Sequence, residues 1–337
     1  MLSFEHSKMS LRILHIILSS QFDEKCRSLA NKLTSTGHFA AIHIDKKANL
    51  IEPRTNDQVT SQRIHLVQNR ISVYRAHISI FQAMVNSYRE MKDSFDFDYV
   101  NLLSGVDFPV RPLRDFELFL QENQKYSFIN CIELPVEKDA VYHDGSVNTD
   151  FSKCAWPFKS KPIYFFDRLS KYNYSLWDKN RYALQQKNYP RLNTIFFPVT
   201  SLSRQFRTIN KIGRMLKSFR SIPHVKFHIG SGWYTIKSDH LNQTIAYLES
   251  RNGRPLKRFF KSLNFADEFV VPTVMKILDL DLVDSDLRYV NWNHCETIGR
   301  PGIIDQKDIP LIQKSNAFFC RKVDLKSIEL IEELLDV

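Results

Sequence analysis

Three stretches of this chain carry residue types and spacings suited to chemistry. One reads F-H-I-G-S-G-W-Y-T-I-K from Phe227 to Lys237, so a Gly230-Ser231-Gly232 turn opens into Trp233, Tyr234 and Ile236. Further on, the adjacent carboxylates Asp267 and Glu268 stand just before the apolar run Phe269-Val270-Val271. Glycine lets a backbone approach a ligand closely. A carboxylate among apolar neighbours is a candidate general base, because desolvation raises its pKa towards the working pH. The helix dipole alone also favours an acidic first turn, so type and spacing leave both readings open here.

The third stretch begins with Tyr99 to Ser104 (Y-V-N-L-L-S), a buried strand by its apolar run, and continues as Gly105-Val106-Asp107-Phe108-Pro109-Val110. Gly, Asp and Pro mark that continuation as a turn. A strand ending in Ser-Gly-x-Asp suits a nucleotide-sugar site, with Ser104, Gly105 and Asp107 as its candidate residues. Just upstream, Asp96-Phe97-Asp98 matches the Asp-x-Asp pattern that holds a divalent metal in many sugar transferases. Such a pair works at the end of a strand facing a diphosphate, and this one precedes its strand. Asp279-Leu280-Asp281 is an equally short match, and short motifs match often by chance. No metal site is expected at either.

The elements that must position these residues read as α/β. Leu11 to Ser19 is an apolar run of strand length. A helical pattern spans Asp23 to Leu33, and Phe39 to Asp45 is a second strand. Strand, helix and strand at this spacing form a βαβ unit with a parallel sheet. Ligands of such sheets bind beyond the carboxyl ends of the strands, where Ser19, Ser20, His43 and Asp45 would lie. Asp45 could accept hydrogen bonds from a ribose or base, although Asp45-Lys46-Lys47 also reads as an ordinary polar loop.

Further elements follow: a strand at Ile64 to Val67, a helix at Ser79 to Tyr88, a helix at Pro112 to Gln124 and a strand at Lys125 to Leu134. The pattern then dissolves into a polar, aromatic and basic stretch, Val136 to Pro190. Its Tyr142, Trp156, Tyr164 and Trp177 could stack on sugar rings or form a satellite core. Leu202 to Arg220 is a basic amphipathic helix, fit either to pack on the core or to lie on anionic lipid. Leu287 to Trp292 reads as a strand. A basic cluster around Phe318 to Asp324 and a helix from Leu325 to Leu335 close the chain.

With 337 residues and 43% hydrophobic content the chain can bury a large core. We read it as one domain: a nucleotide-binding half at 11–134, a variable acceptor-related segment at 135–225, and a catalytic and diphosphate-binding half at 226–337. The formal charge of +10 points to an anionic partner, either phosphates or a membrane surface. No Lys/Arg-rich tail or RNA-binding signature appears, so nucleic acid ranks last. The five cysteines are odd in number, widely spaced and without a Cys-x-x-Cys pair, which argues for free thiols rather than a zinc site or disulfide scaffold. The run Ile13 to Leu18 is short and interrupted by His15, unlike a signal peptide, and no stretch has the length of a membrane span. A cytoplasmic protein is expected, with peripheral contact on the inner membrane face left open.

Taken in order, these motifs resemble the core-2/I-branching β-1,6-N-acetylglucosaminyltransferases and their peptide O-xylosyltransferase relatives, glycosyltransferase family 14. The matching residues are Ile42-His43-Ile44-Asp45-Lys46-Lys47, Ser104-Gly105-Val106-Asp107-Phe108-Pro109, Gly230-Ser231-Gly232-Trp233, Ala266-Asp267-Glu268, Val290-Asn291-Trp292 and Phe319-Cys320-Arg321-Lys322-Val323-Asp324. The family has Pro where Ala266 stands, and the spacing from Trp292 to Arg300 is shorter here.

The resemblance implies a GT-A-like nucleotide-sugar fold, a central mostly parallel sheet flanked by helices. It implies inverting, metal-independent transfer of a sugar, GlcNAc first among them, from a UDP-sugar to a saccharide acceptor, free or lipid-linked, in surface-glycan synthesis. No cofactor is expected. Glu268 would be the general base. Arg300 and Lys322 would balance the leaving diphosphate in place of a metal. His43, Asp45 and Asp107 would serve the nucleotide. Ser104, Gly105, Gly230, Ser231, Trp233, Asp267 and Trp292 would hold donor and acceptor. The family's vertebrate members carry a membrane anchor and many disulfides, so the likeness is to a bacterial type. Two rival expectations remain: a metal-dependent transferase using UDP-xylose, UDP-glucose or UDP-galactose, and a non-catalytic glycan- or membrane-binding module on the same fold.

Overall fold

A computed structural model describes residues 10–48, 62–133, 225–261, 263, 266–291 and 301–335. Trp292, Arg300, nearly all of the 135–225 segment and its basic helix lie outside the described residues.

The N-terminal half follows the pattern of its apolar runs. Strand β1 (Ile13–Ser19) leads through helix α1 (Glu24–Thr34) to β2 (Phe39–Ile44). Asp23 caps α1 by accepting from the Cys26 amide at 3.0 Å, satisfying one of the helix's orphan donors. Next come β3 (Ile64–Leu66), α2 (Ser79–Lys92), β4 (Tyr99–Ser104), β5 (Asp107–Pro109), α3 (Leu113–Glu122), β6 (Ser127–Phe128) and β7 (Ile132–Glu133). The C-terminal half holds β8 (His228–Ile229), β9 (Thr235–Lys237), α4 (Ser238–Glu249), α5 (Arg254–Lys261), α6 (Ala266–Ile277), β10 (Leu282–Val283), β11 (Arg288–Val290), α7 (Ile309–Lys314), β12 (Phe319–Arg321) and α8 (Leu325–Leu334).

The main sheet has seven strands in the order β10-β6-β9-β4-β1-β2-β3. Strand β1 is central, with Ile17 opposite both Ile42 and Leu103 in parallel register. Only β9 runs against its neighbours β4 and β6, so the sheet is mixed and mostly parallel. Both faces are covered, as the continuous hydrophobic runs of β1 and β4 require. On one face Leu14, Ile16, Val100, Leu102 and Ile236 pack with Phe81, Met84, Leu241, Phe259 and Phe269 of α2, α4, α5 and α6. On the other, Ile13, Ile17, Ile42 and Leu103 pack with Leu29, Phe116, Ile312 and Ile331 of α1, α3, α7 and α8. A second, three-stranded sheet, β11-β12-β5, joins that second core through Phe108, Tyr289 and Phe319. Among the described residues no helix is long and apolar enough to cross a membrane.

Three expectations are corrected. The strand expected at Lys125 to Leu134 is two short strands in different sheets: β6 lies in the main sheet, while β7 pairs with β8. The chain bends between them because the Cys131 amide is held by the Asp284 carboxylate at 2.8 Å. The turn expected at Gly105 to Val110 contains β5, and the basic cluster at Phe318 to Asp324 contains β12. These two strands pair antiparallel, Arg321 opposite Asp107, a long-range match that neither segment betrays alone.

Candidate functional site

The sequence candidates gather along the carboxyl ends of β1, β2 and β4. The Gly105 amide donates to the Leu18 carbonyl at 3.0 Å. A Cβ at Gly105 would stand 2.5 Å from Ser19 Oγ, so the turn after β4 touches the end of β1 only because that side chain is missing. Ser104 and Asp107 lock this turn. The Ser104 amide donates to Asp107 Oδ2 at 2.9 Å and its hydroxyl to Oδ1 at 2.7 Å.

Asp107 is fully buried and faces two guanidiniums. Arg288 Nε lies 3.8 Å from Oδ2, and Arg321 Nε lies 3.6 Å from Oδ1. One carboxylate thus lies between two guanidiniums in a desolvated place, with Asp286 as a further negative charge near Arg288. Arg288 is fixed from other sides as well. It donates to the Asp286 carbonyl at 2.7 Å, to Asn101 Oδ1 at 3.0 Å and to the Leu102 carbonyl. Burial pulls its pKa down while Asp107 and Asp286 push it back up. Arg321 has no hydrogen-bond partner for Nε or Nη1 among the described residues. Its guanidinium lies over the Trp233 ring, 4.4 Å from the centroid.

Trp233 carries the site over to the catalytic candidates. Its amide donates to Ser231 Oγ at 3.1 Å, which shapes the Gly230–Gly232 turn. That turn lies against the start of α6. The Gly230 amide donates to the Glu268 carbonyl at 2.9 Å, and a Cβ on Gly232 would sit 3.5 Å from Asp267 Oδ2. Glu268 itself is buried, at 9% exposure, in the first turn of α6. Tyr234, also buried, has its phenol pKa raised by burial and by Asp267, with Arg288 opposing. The phenol therefore lies electrostatically between the two halves of the site. Gly230 cannot be replaced without cost, since a Cβ there would fall 1.7 Å from the Asn130 carbonyl oxygen. Gly230→Ala is expected to lose about 1–3 kcal/mol of stability and to displace the turn from Glu268. Urea unfolding measures the first effect, and unchanged stability would mean that the Asn130 backbone yields freely.

His43 and Asp45 have a different local part. His43 Nε2 accepts from the Ile71 amide at 3.0 Å, and burial lowers its pKa. Asp45 Oδ1 accepts from the Lys47 and Val73 amides at 2.9 and 3.3 Å. Together they hold the 71–73 backbone at the end of β2. Lys322 is half-buried beside the Gly105 turn, with the next amide, Val323, donating to the Val106 carbonyl at 2.9 Å. Asp98 lies at the other end of β4, accepting from the Arg12 amide at 2.8 Å, as its place before the strand led us to expect. Among the described residues no three His, Cys, Asp or Glu side chains cluster as metal ligands.

Arg288 and Arg321 escaped the sequence reading. Arg321 stood next to the chosen Lys322. A single Arg on a strand ordinarily reads as the solvent face, and only the burial of both Arg288 and Tyr289 on β11 shows otherwise. A chain of buried polar groups runs from Arg288 away from the site. Asn101 Nδ2 meets His15 Nδ1 at 3.1 Å, His15 Nε2 meets His38 Nδ1 at 3.0 Å, and His38 Nε2 faces Glu117 Oε2 at 3.8 Å. Burial lowers the pKa of His15 well below its ordinary value and that of His38 to about 4. Between pH 6.5 and 4 the unfolded chain therefore binds more protons than the folded one. Stability is full above pH 6.5 and drains as pH falls towards 4, by on the order of 3 kcal/mol for His38 alone. Thermal unfolding across that window checks this, and a flat Tm would contradict neutral, buried histidines. No protein-family model matches this chain, and a search of curated proteins finds none that matches it.

Proposed function

We propose that the protein is an inverting glycosyltransferase that moves a sugar, GlcNAc being the expected one, from a UDP-sugar to a saccharide acceptor. The acceptor hydroxyl attacks the anomeric carbon, and its proton passes to Glu268. The bond from that carbon to the phosphate oxygen breaks, and UDP leaves with the electron pair. Arg321 and Lys322 balance the charge that develops on the diphosphate, with Arg300 as the third cation that the family resemblance adds. Fixed cations aimed at a developing anion can do the work of a metal ion. Asp107 acts through Arg321 and Arg288, orienting rather than contacting the phosphates. The fold that goes with this reading is GT-A-like, and the acceptor belongs to surface-glycan synthesis at the inner membrane face.

One observation carries the reading. Trp233 is in contact with Arg321 on one side, and through the Gly230–Gly232 turn it is tied to the Asp267-Glu268 start of α6 on the other. A guanidinium with two nitrogens lacking hydrogen-bond partners among the described residues therefore lies on the ring of Trp233. The backbone next to that ring is tied to the helix start that carries Asp267 and Glu268, at the carboxyl edge of a mostly parallel sheet, where ligands of such sheets bind.

The test is UDP release from a panel of UDP-sugars with a saccharide acceptor, with and without EDTA. Release from one donor, unaffected by EDTA, is expected. Release that stops with EDTA would move the charge balance from the arginines to a metal. UDP binding without release from any donor would favour a binding module.

A further inference from the structure

The buried chain behind Arg288 has a fixed direction, which follows from what each group can donate. Arginine only donates, so the Asn101 atom that meets it is the carbonyl oxygen. The same oxygen accepts from Thr235 Oγ1 at 3.1 Å. The Asn101 amide nitrogen must then donate to His15 Nδ1. A neutral imidazole that accepts at Nδ1 carries its proton on Nε2, so His15 donates to His38 Nδ1. By the same logic His38 carries its proton on Nε2 and directs it at Glu117. Both tautomers and the amide orientation are thus set by one guanidinium. The two imidazoles stack at 5.2 Å, His15 also lies against Phe116 and Phe319, and both histidines and Asn101 are buried.

We propose that Asn101, His15 and His38 are positioning residues for Arg288, and that a proton entering at His38 releases Arg288 from its hold on Asp107. A proton on His38 Nδ1 meets the Nε2 proton of His15, donor against donor. Relief requires the His15 proton to move to Nδ1 and the Asn101 amide to turn over. The amide nitrogen then faces Arg288, again donor against donor. Low local dielectric makes such mismatches costly. Around the pair, Glu117 on α3 favours the proton, while Arg63 before β3 and Arg288 on β11 oppose it. Glu117 is also held by the Ser10 hydroxyl and the Leu11 amide at 2.8 and 2.9 Å, so the proton's entry point lies at the surface, at the opposite end of β1 from the site.

The functional consequence, weaker diphosphate binding in acid, rests on the reading of Arg321 as part of the donor's anion site, oriented by Asp107, which Arg288 shares. The positioning itself does not. Nitrogen-15 spectra of the full chain at pH 7.5 should show both His15 and His38 protonated on Nε2. On lowering the pH, the Arg288 side-chain signals should move together with the His38 titration, and in His38→Gln they should stay put. UDP affinity should weaken about five-fold or more over the same window in the wild type. The His38→Gln comparison subtracts the protonation of UDP's own terminal phosphate. Protonation of His15 on Nδ1 in the wild type would overturn the proposal whether or not the variant folds. So would Arg288 signals that titrate alike in both proteins or do not respond at all. Arg288 signals that follow His38 while UDP fails to bind at any pH would keep the positioning and sink the donor-site reading instead.

Discussion

Glu268→Gln is expected to cut sugar transfer by about 10²–10⁴-fold, the usual contribution of a general base, while UDP binding stays within two-fold. The substitution keeps size and shape and removes the charge and the proton-accepting capacity. The contact that seats the first turn of α6 uses the Glu268 backbone carbonyl, which the change leaves intact. The side chain is buried, and its proposed part is to take the acceptor's proton rather than to bind the diphosphate, so nucleotide affinity is expected to change little. Initial rates of transfer with saturating donor, beside calorimetric titration of UDP, separate the two. A variant retaining more than about a tenth of the rate would remove Glu268 from proton transfer, whose smallest ordinary contribution is about a hundred-fold.

Asp107→Asn should produce the largest loss of stability, about 3–5 kcal/mol, as expected when one partner of a buried ion pair is removed. The amide oxygen can still accept from the Ser104 amide, and the amide nitrogen can donate to the Ser104 hydroxyl in a reversed bond, so the turn after β4 stays tied locally. It carries no charge, and both Arg288 and Arg321 lose their shared counter-ion at a site with almost no solvent. Urea unfolding should show a lower midpoint with an unchanged slope. A loss below about 1 kcal/mol would place the cluster in the range of solvated pairs. Asp286, which also raises the Arg288 pKa, would then be the dominant counter-ion.

The sequence was most legible where one element's own pattern decides its structure. The run L-R-I-L-H-I-I-L-S could only be a buried strand, and Y-V-N-L-L-S falls on Tyr99–Ser104 as read. The nearness of Gly230 to Glu268 was legible as chemistry, since a glycine turn and an acidic helix start both suit a ligand, but their contact is tertiary. What stayed hidden depends on partners far away in the chain. β12 is three residues long, too short for a period to show, and it exists because β5 and β11 lie on either side of it. His15 looked like an interruption of an apolar run. It is tolerated there because Asn101 and His38 satisfy both of its nitrogens, and nothing local to Ile13–Ser19 announces them. Helices α4 and α5 were missed because each relies on packing against α6 more than on its own caps.

The pairing of β5 with β12 has a consequence for synthesis. Asp107 leaves the ribosome well before its counter-ions, because Arg321 lies about two hundred residues further along, or on the order of 10–40 s at ordinary elongation rates. Until Arg288 emerges, late in that interval, the nascent β1–α1–β2–β4 unit can close its own sheet, yet the carboxylate at its rim has neither guanidinium to meet. A burying collapse would then cost the desolvation of a lone charge, which keeps that rim open to water. The anion site can thus be completed only after most of the domain has been made. A chain truncated before Arg288 should carry a hydrated Asp107 with neither guanidinium, and the emergence of Arg321 should be the event that sets the site.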